Sequence, residues 1–413
     1  MARQSFFYGW VVAAGCFITY ALSIGPRQSF SVFLLPLHED FGRSRSIIAG
    51  AFSLHMACYA VGGWALGILL DRVGARRVII WSTVCWTLIL LSVSRVASLW
   101  QFYLLFGVAG GTAAGGFSYV PNNVILARWF VRYRGLAIGL LQAGVPLGAA
   151  VFGPLAQLGI GRVGWRNTYA LFGVLVGATA APLAAAVLRN DPSEVGLLPD
   201  GGSVPSGGQP RLAGAAPIGF TGAGVPSGYW TIFHANVLRG MIMYALLVHQ
   251  VAYLVDAGLS RMTAASYFSA SFFVAAAGGL VAGGISDRVG RVPTYVGVIG
   301  LYVAGYASLL LVKSPTQVGL LVLFVLTSGV AYGGASAVFG SFVTDRLQGP
   351  RMGHLLGLQN IGFGIGTMLG PYLAGAAFDR LGSYTPAFLL MILCALGSGL
   401  LLAWVRQAPP TRR

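Results

Sequence analysis

Residues 67–77 read GILLDRVGARR, and the centre of this stretch occurs a second time later in the chain. Asp71-Arg72-Val73-Gly74 is repeated as Asp287-Arg288-Val289-Gly290, 216 residues further on. Gln142 and Gln359 are separated by nearly the same distance, 217 residues. A period this long is not that of a solenoid, and it indicates one bundle of helices present in two copies.

The chain is far too apolar for an ordinary soluble protein. Of its 413 residues, 56% are hydrophobic and 9% are charged, whereas roughly a quarter is charged in a typical soluble domain. One membrane-crossing helix needs about 20 apolar residues. Breaking the sequence at charged and turn residues predicts twelve such helices, called spans 1 to 12 here: 8–36, 46–70, 77–94, 101–126, 135–159, 168–188, 229–255, 262–285, 293–312, 316–344, 352–378 and 384–405.

One long polar segment divides the spans into two groups of six. Segment 190–228 holds ten glycines and six prolines and cannot bury a core. We therefore predict an all-α integral membrane protein with two pseudo-symmetric six-helix bundles, residues 1–189 and 229–413, joined by a cytoplasmic loop at 190–228. The even number of spans in each half makes both copies enter the membrane in the same direction.

The net charge of +16 follows from topology rather than from a nucleic-acid partner. Of the 26 basic residues, sixteen fall on the side that holds the predicted chain ends and eight on the other side. This bias obeys the positive-inside rule and predicts that both termini are cytoplasmic, with the lipid bilayer around the spans. The excess of arginine over lysine and the absence of an Asn-x-Ser/Thr sequon favour a bacterial inner-membrane protein.

The Gly67–Arg77 stretch closely resembles the loop between the second and third helices of the major facilitator superfamily of transporters. The carboxylate of Asp71 suits a helix N-terminus, Gly74 permits a tight turn, and Arg72 and Arg76 hold the cytoplasmic edge. The resemblance covers the whole chain and implies that this loop latches the two halves in the outward-facing state. The gating residues of the second copy are then Asp287, Arg288 and Gly290.

Finer features resemble the monocarboxylate and oxalate–formate branch of that superfamily. They include Tyr8-Gly9-Trp10 at the start of span 1, Pro26-Arg27 within it, and Arg128-Trp129-Phe130 after span 4. This resemblance implies a small organic anion as substrate. The chain departs from the branch in span 8, where the branch places charged residues and this sequence has Ser271 and Ala275. The identity of the anion therefore stays open.

Arg27 is the best candidate for an anion-binding residue. A charge deep in a bilayer costs several kcal/mol, which makes it a functional candidate by default. Tyr20, Ser23 and Ser31 lie at helical spacing from Arg27 and predict one polar stripe that faces a cavity. A guanidinium can hold a carboxylate through two parallel hydrogen bonds. The alternative is an arginine that extends to the outer membrane interface.

His249 occupies a comparable depth in span 7, on one helix face with Tyr253 and Asp256. Because histidine titrates near neutrality, His249 is a candidate proton carrier or anion partner, and the alternative is a hydrogen-bonded structural residue. Arg239 precedes it by ten residues and lies off that face. It either lines the cytoplasmic half of the cavity or extends to the interface.

Uncharged polar residues occur at related positions in the two halves. Buried amides and phenols need hydrogen-bond partners, which either a substrate in a hydrated cavity or a neighbouring helix provides. These further candidates for substrate binding are Tyr119, Asn123, Gln142, Tyr332, Gln359 and Asn360.

The sequence predicts a secondary active transporter, not an enzyme, that moves a small monocarboxylate-like anion by alternating access. A proton is a candidate coupling ion, and we expect no cofactor and a monomer. A phosphate-binding Gly-rich loop with its lysine is absent from the sequence, which argues against an ATP-driven pump on this chain. The alternative is a major facilitator efflux carrier for neutral or amphipathic compounds, which the apolar span 8 favours.

Asp71→Asn is expected to cripple transport and to leave membrane insertion intact. The carboxylate secures one conformational state, and an alternating carrier needs its two states within a few kcal/mol of each other. Asp287→Asn is the matched control in the second copy, where a smaller effect is expected because fewer basic residues follow. Uptake into proteoliposomes measures turnover, and wild-type rates in the Asp71 variant would exclude the gating role.

Overall fold

The computed structural model describes residues 7–201, 228–346 and 352–407. These residues are almost entirely helical, and ten helices among them are long and apolar enough to cross a membrane. In hydrocarbon, backbone N–H and C=O groups find no water, and a helix satisfies them internally. The predicted all-α membrane fold is confirmed.

Every predicted span of the first half is present as helix. The bounds are Gly9–Gln28 and Phe30–Phe41 for span 1, Arg45–Val73 for span 2, Ala75–Val93 for span 3, segments between Leu99 and Trp129 for span 4, and Arg134–Val187 for spans 5 and 6. Span 1 continues beyond its predicted end at 36. Its last turn is charged but stays helical because Glu39 pairs with Arg261 and Asp40 with Arg166.

Spans 5 and 6 are separated by a single residue with non-helical backbone angles. Gly164 has φ 80° and ψ 163°, a conformation that glycine adopts at little cost, and the chain reverses direction there. The predicted spans 135–159 and 168–188 leave residues 160–167 between them, and in the structure these residues are helical except at Gly164. Both helices continue to the turn because one glycine is sufficient to make it.

Span 4 is not one regular α-helix. A π-helix, Tyr103–Gly110, is followed by a short α-helix, and the helix then breaks at Phe117 and Ser118 before restarting at Tyr119. The Asn122 amide group donates to the carbonyls of Phe117 at 3.1 Å and Ser118 at 2.9 Å. This side chain replaces helical hydrogen bonds at the break, because free carbonyls inside a membrane protein are costly.

The second half consists of six helices whose ends lie within four residues of the predicted ones. Their bounds are Tyr229–Asp256, Arg261–Val289, Arg291–Leu311, Val318–Arg346, Met352–Leu381 and Thr385–Gln407. The predicted domain boundaries at 189 and 229 stay predictions, because residues 202–227 lie outside the described part of the chain.

The sequence repeat has a counterpart in helix packing. In the first half, Gly115 of span 4 lies against Gly63 of span 2. In the second half, Gly333 of span 10 lies against Gly279 of span 8 and the carbonyl of Ala275. Glycine lets two backbones approach closely, so each pair acts as the contact point of two helices. The same contact in both halves fits two pseudo-symmetric bundles.

The two ends of the molecule differ. We call the end where span 1 begins and span 12 ends the terminal face, and the opposite end, near Phe41, the far face. Near the far face the halves touch: Gly153 of span 5 lies against Phe268 of span 8, and Gly375 of span 11 lies against Ser46 of span 2. Gly153 meets the Phe268 ring and Gly375 meets the Ser46 backbone, so helices of the two halves are in close contact at this face.

Near the terminal face the same helix surfaces are uncovered. Gly139 lies four helical turns before Gly153 on one face of span 5, and Gly357 is on the face of span 11 that carries Gly364 and Met368. A side chain added at Gly139 or Gly357 would meet nothing within 4 Å. In the described part of the chain, the halves therefore enclose a cleft that is closed at the far face and open at the terminal face.

Gly333→Ala is expected to lower the thermal stability of the protein. The added methyl group would overlap the Ala275 carbonyl oxygen and push spans 8 and 10 apart, at a cost of about 1–3 kcal/mol. Gly297→Ala is the control, because a methyl group there meets nothing within 4 Å. Unfolding in detergent measures both, and equal midpoints for the two variants would contradict the close contact.

Candidate substrate site and gates

Arg27 lies in the interior of the protein, near the middle of span 1. Because that span extends from Gly9 to Phe41, the guanidinium is far from both ends of the helix. Only 3% of Arg27 is exposed, and its guanidinium stacks over the Tyr59 ring at 4.7 Å. Its Nε and Nη1 atoms are buried without a hydrogen-bond partner among the described residues. The interface alternative is not supported.

The helix backbone is interrupted beside Arg27. Pro26 supplies no N–H, and the helix stops at Gln28 and restarts at Phe30. The hydroxyl of Ser29 donates to the Pro26 carbonyl at 3.0 Å and satisfies one of the groups at this kink. Next to Arg27, the Gln28 amide donates to the hydroxyl of Tyr332 at 3.5 Å, which joins the two halves at the centre of the molecule.

Tyrosine side chains surround this centre. Tyr20 and Tyr244 lie within electrostatic reach of the Arg27 charge, as does Tyr332. Phenol rings offer a π-face to a cation and a hydroxyl to a polar ligand. The centre therefore combines one cation with several hydrogen-bonding groups in apolar surroundings.

Acidic residues are remote from this centre. The sequence has ten of them, and each lies either in the last three residues of a spanning helix or in the segment 190–201: Glu39, Asp40, Asp71, Asp191, Glu194, Asp200, Asp256, Asp287, Asp345 and Asp379. Among the described side chains, no carboxylate forms an ion pair with Arg27.

The uncharged candidates are distributed around the cleft. Tyr332 contacts Gln28 and packs edge-on against Phe272 at 5.0 Å, so it lies at the centre. Gln142 and Asn360 are exposed on the cleft-facing sides of spans 5 and 11. Their placement is compatible with substrate contact, which stays a prediction.

The remaining candidates are buried or half-buried. Gln359 is buried, and its backbone carbonyl accepts from the Asn236 amide at 2.7 Å. Tyr119 and Asn123 are half-buried in the helix that restarts after the break in span 4. Tyr119 lies near Tyr20, which places it beside the central cluster.

His249 is fully buried and bonded on both ring nitrogens. Its Nε2 lies 2.8 Å from the Pro371 carbonyl, and its Nδ1 lies 3.0 Å from the Tyr384 hydroxyl. Because a carbonyl only accepts, Nε2 carries the proton and Nδ1 accepts from Tyr384. In this state His249 binds spans 11 and 12 rather than facing Arg27. A role in binding substrate directly stays a prediction.

A network of charges closes the far face. Arg45 at the start of span 2 forms two hydrogen bonds with Asp256 at the end of span 7, at 2.5 and 2.9 Å. Its guanidinium stacks over the Phe378 ring at 3.9 Å and donates to Tyr384 at 3.1 Å. The Asp379 carboxylate accepts from the first backbone N–H groups of span 2 at 2.9 and 2.8 Å. We call these residues the far-face gate.

The far-face gate connects one half with the other, and so does a second ion pair, which joins Arg261 to Glu39. The sequence analysis missed this gate. The signal was weak, because charges at helix ends are expected in any membrane protein and these partners are more than 200 residues apart. Together these contacts hold the two halves together at the far face.

Comparison with known proteins identifies the architecture. The sequence profile of the Major Facilitator Superfamily matches residues 16–361. The chain belongs to the Major Facilitator Superfamily. The protein is accordingly a multi-pass membrane transporter and not an enzyme.

Individual relatives agree with this assignment. Rat "Monocarboxylate transporter 3" is 29% identical over 406 residues, which cover 98% of this chain and 80% of the relative. The "Uncharacterized MFS-type transporter YcxA" of Bacillus subtilis (strain 168) is 24% identical over 389 residues, covering 92% and 91%. A crystal structure of a bacterial homologue of the human lysosomal transporter Spinster, inward-facing and unoccupied, matches with a TM-score of 0.69 at 17% identity, covering 97% and 96%. This likeness confirms the fold.

The Asp-Arg-Val-Gly loops of the two halves, residues 71–74 and 287–290, have the same backbone conformation. Gly74 has φ 87° and donates its N–H to Leu70, and Gly290 has φ 105° and donates to Ser286. Both angles favour glycine, which explains its place in the repeat. The Asp71 side chain lies outside the described part of the structure.

The arginines of these loops contact their own halves or solvent. Arg76 donates to the carbonyl of Ala185 at 2.5 Å, and Arg72 and Arg288 are exposed. Asp287 pairs with Arg291 of the same half. In these contacts, neither loop is joined to the opposite half, which agrees with an open terminal face. Their latching role in the opposite state stays a prediction.

Asp256→Asn is expected to weaken closure of the far face. The change removes the charge opposite Arg45, and hydrogen bonds to charged groups contribute about 1.5–3 kcal/mol before screening by solvent. Because Asp256 is about one-third exposed, we expect roughly a tenfold change in the ratio of closed to open far face. Spin labels at Arg43→Cys and Lys313→Cys, on a background without the native cysteines, measure the separation of the halves.

The control is Asp40→Asn. Asp40 also forms a two-pronged pair on the far face, but its partner Arg166 belongs to the same half. This variant should leave the label distances unchanged. The same distance distribution in the Asp256 variant and the wild type would show that the far-face gate does not hold the halves together.

Proposed function

We propose that this protein is a secondary active transporter of a small organic anion, with Arg27 as the anion-binding group. The observation that carries the proposal is the burial of the Arg27 guanidinium without a carboxylate partner. A buried unpaired charge costs several kcal/mol, and a bound anion removes that cost. The likeness to monocarboxylate transporters supports an organic anion as the ligand.

Alternating access follows from the asymmetry of the two faces. The terminal face is the cytoplasmic one, which the predominance of basic residues on that side supports. The cleft then opens to the cytoplasm, with Arg27 at its closed end. Transport requires the far-face gate to open and the terminal face to close around the same central site. We propose a monomer with both termini in the cytoplasm of a bacterial inner membrane.

Coupling to protons is the second part of the proposal. A proton taken up at Nδ1 of His249, and later released from it, would break and restore the hydrogen bond that this atom accepts from Tyr384, which also contacts Arg45 of the far-face gate. This chain of contacts links a titratable side chain to closure of the far face. A gradient then drives transport without ATP, as expected for a carrier built from two six-helix repeats.

The alternative is an efflux carrier for neutral or amphipathic compounds. Its support comes from span 8, where Ser271 donates to its own helix at Tyr267 and Ala275 packs against span 10. Phe268 and Phe272 add an apolar surface beside Tyr332. This lining provides no second charge for an anion, so the response of transport to Arg27 distinguishes the two functions.

Arg27→Ala is expected to abolish carboxylate transport, and Arg27→Lys to retain part of it. Lysine keeps the positive charge but loses the two-pronged geometry, and removing the charge costs several kcal/mol of binding. The measurement is the uptake of a panel of labelled carboxylates into proteoliposomes, with and without a pH gradient. His249→Ala should mainly change the pH dependence of uptake.

The control is Lys313→Ala, which removes an exposed cation from the loop between spans 9 and 10. Accumulation should follow the gradient and should not require ATP. An Arg27→Ala protein that folds, inserts and carries carboxylates with unchanged affinity would exclude the anion-binding role. Transport of neutral compounds by that variant would support the efflux alternative.

A further inference from the structure

Arg239 is a second interior cation, in the half opposite Arg27. Its guanidinium lies between two phenyl rings, 4.7 Å from the Phe339 ring of span 10 and 4.3 Å from the Phe363 ring of span 11. It is partly exposed and does not extend to the end of span 7. The rings fix the plane of the guanidinium and leave its edges for hydrogen bonds.

One edge of this guanidinium is occupied. Its Nε and Nη2 atoms donate to the Asn236 side-chain oxygen at 3.0 and 2.8 Å. The Asn236 amide donates in turn to the backbone carbonyl of Gln359 at 2.7 Å, which anchors the arrangement to span 11. Asn236 therefore orients Arg239 without neutralising it, because an amide carries no charge.

A second edge of the guanidinium, adjacent to the first, is formed by Nη1 and Nη2. Among the described residues, Nη1 has only the Met243 sulfur at 3.7 Å, which is a weak acceptor. The Nη1 and Nη2 atoms present parallel N–H bonds on this edge, in the geometry that matches a carboxylate. A rigidly held guanidinium with one free edge is a prepared anion site, since little side-chain entropy is lost on binding.

The two arginines face the same group of tyrosines. Tyr244 and Tyr332 lie within electrostatic reach of both Arg27 and Arg239. Along span 7, Arg239 lies five residues from Tyr244, about 7.5 Å toward the terminal face. Phe363, which stacks on Arg239, also packs against Tyr244 at 5.9 Å. Both charges thus lie near the same two tyrosines, Tyr244 and Tyr332.

We propose that Arg239 forms a second anion subsite and that the substrate is an organic anion with two acidic groups, one held by Arg27 and one by Arg239. This inference rests on the proposed function, because it assumes that Arg27 binds a carboxylate. Two interior cations with no acidic residue nearby favour two negative charges on the ligand. The subsite is formed by spans 7, 10 and 11. Binding of the second acidic group therefore does not require a charged residue in span 8.

Matched pairs of acids with equal carbon number test the proposal: malonate with propionate, succinate with butyrate, and glutarate with valerate. Binding to the purified full-length protein in detergent is followed by calorimetry, and uptake by proteoliposomes. The wild type should bind the best dicarboxylate at least about tenfold more tightly than its monocarboxylate partner. Arg239→Ala should remove this preference and change monocarboxylate affinity by less than about threefold.

Arg239→Lys should retain part of the preference, and Asn236→Ala should reduce it because the guanidinium loses its orientation. Lys313→Ala, the loss of a cation outside the cleft, should change nothing. The thermal midpoint of each variant without ligand identifies any that fail to fold, and Arg239→Gln then replaces Arg239→Ala.

The outcomes separate the two proposals. Equal weakening of both acids by Arg239→Ala, or no weakening of either, would overturn the second subsite while leaving Arg27 as an anion-binding residue. Binding of neither acid by the wild type, together with no effect of Arg27→Ala on transport, would overturn the anion function itself.

Discussion

A positive charge in the middle of a membrane protein, with no carboxylate to balance it, is the constraint on which the rest of the structure depends. Arg27 is kept in place by a helix kink, a tyrosine ring and a glutamine that reaches the other half. Aromatic rings reduce the cost of this burial but do not cancel it. The cleft, with its closed end beside this charge, gives a counter-ion from solution a route towards it.

The fold was predictable because its signals are strong and repeated. Long apolar runs define membrane helices almost by length alone, and the repeated Asp-Arg-Val-Gly motif defined the two halves. The errors occurred where the backbone departs from regular helix. The turn at Gly164 and the break at Phe117 have no periodic pattern, because a single glycine or an asparagine bond is sufficient to make each of them.

The site was predictable only in part. Arg27 was identifiable because it is an isolated charge in an apolar run, and His249 because its depth and helix face were evident. The partners of His249 come from two other helices, and no sequence pattern reports such contacts. The Arg45–Asp256 pair was missed for the same reason. Sequence reasoning thus located the charged groups but not which of them meet.

The interior charges of this protein also make its conformational change sensitive to the membrane voltage. Arg27 and Arg239 both lie away from the helix ends, and no acidic residue accompanies them there. Moving one elementary charge through 100 mV involves about 2.3 kcal/mol, so rocking of the halves is sensitive to the membrane voltage. A bound anion cancels positive charge and reduces that sensitivity. The voltage therefore acts more strongly on the empty protein than on the occupied one.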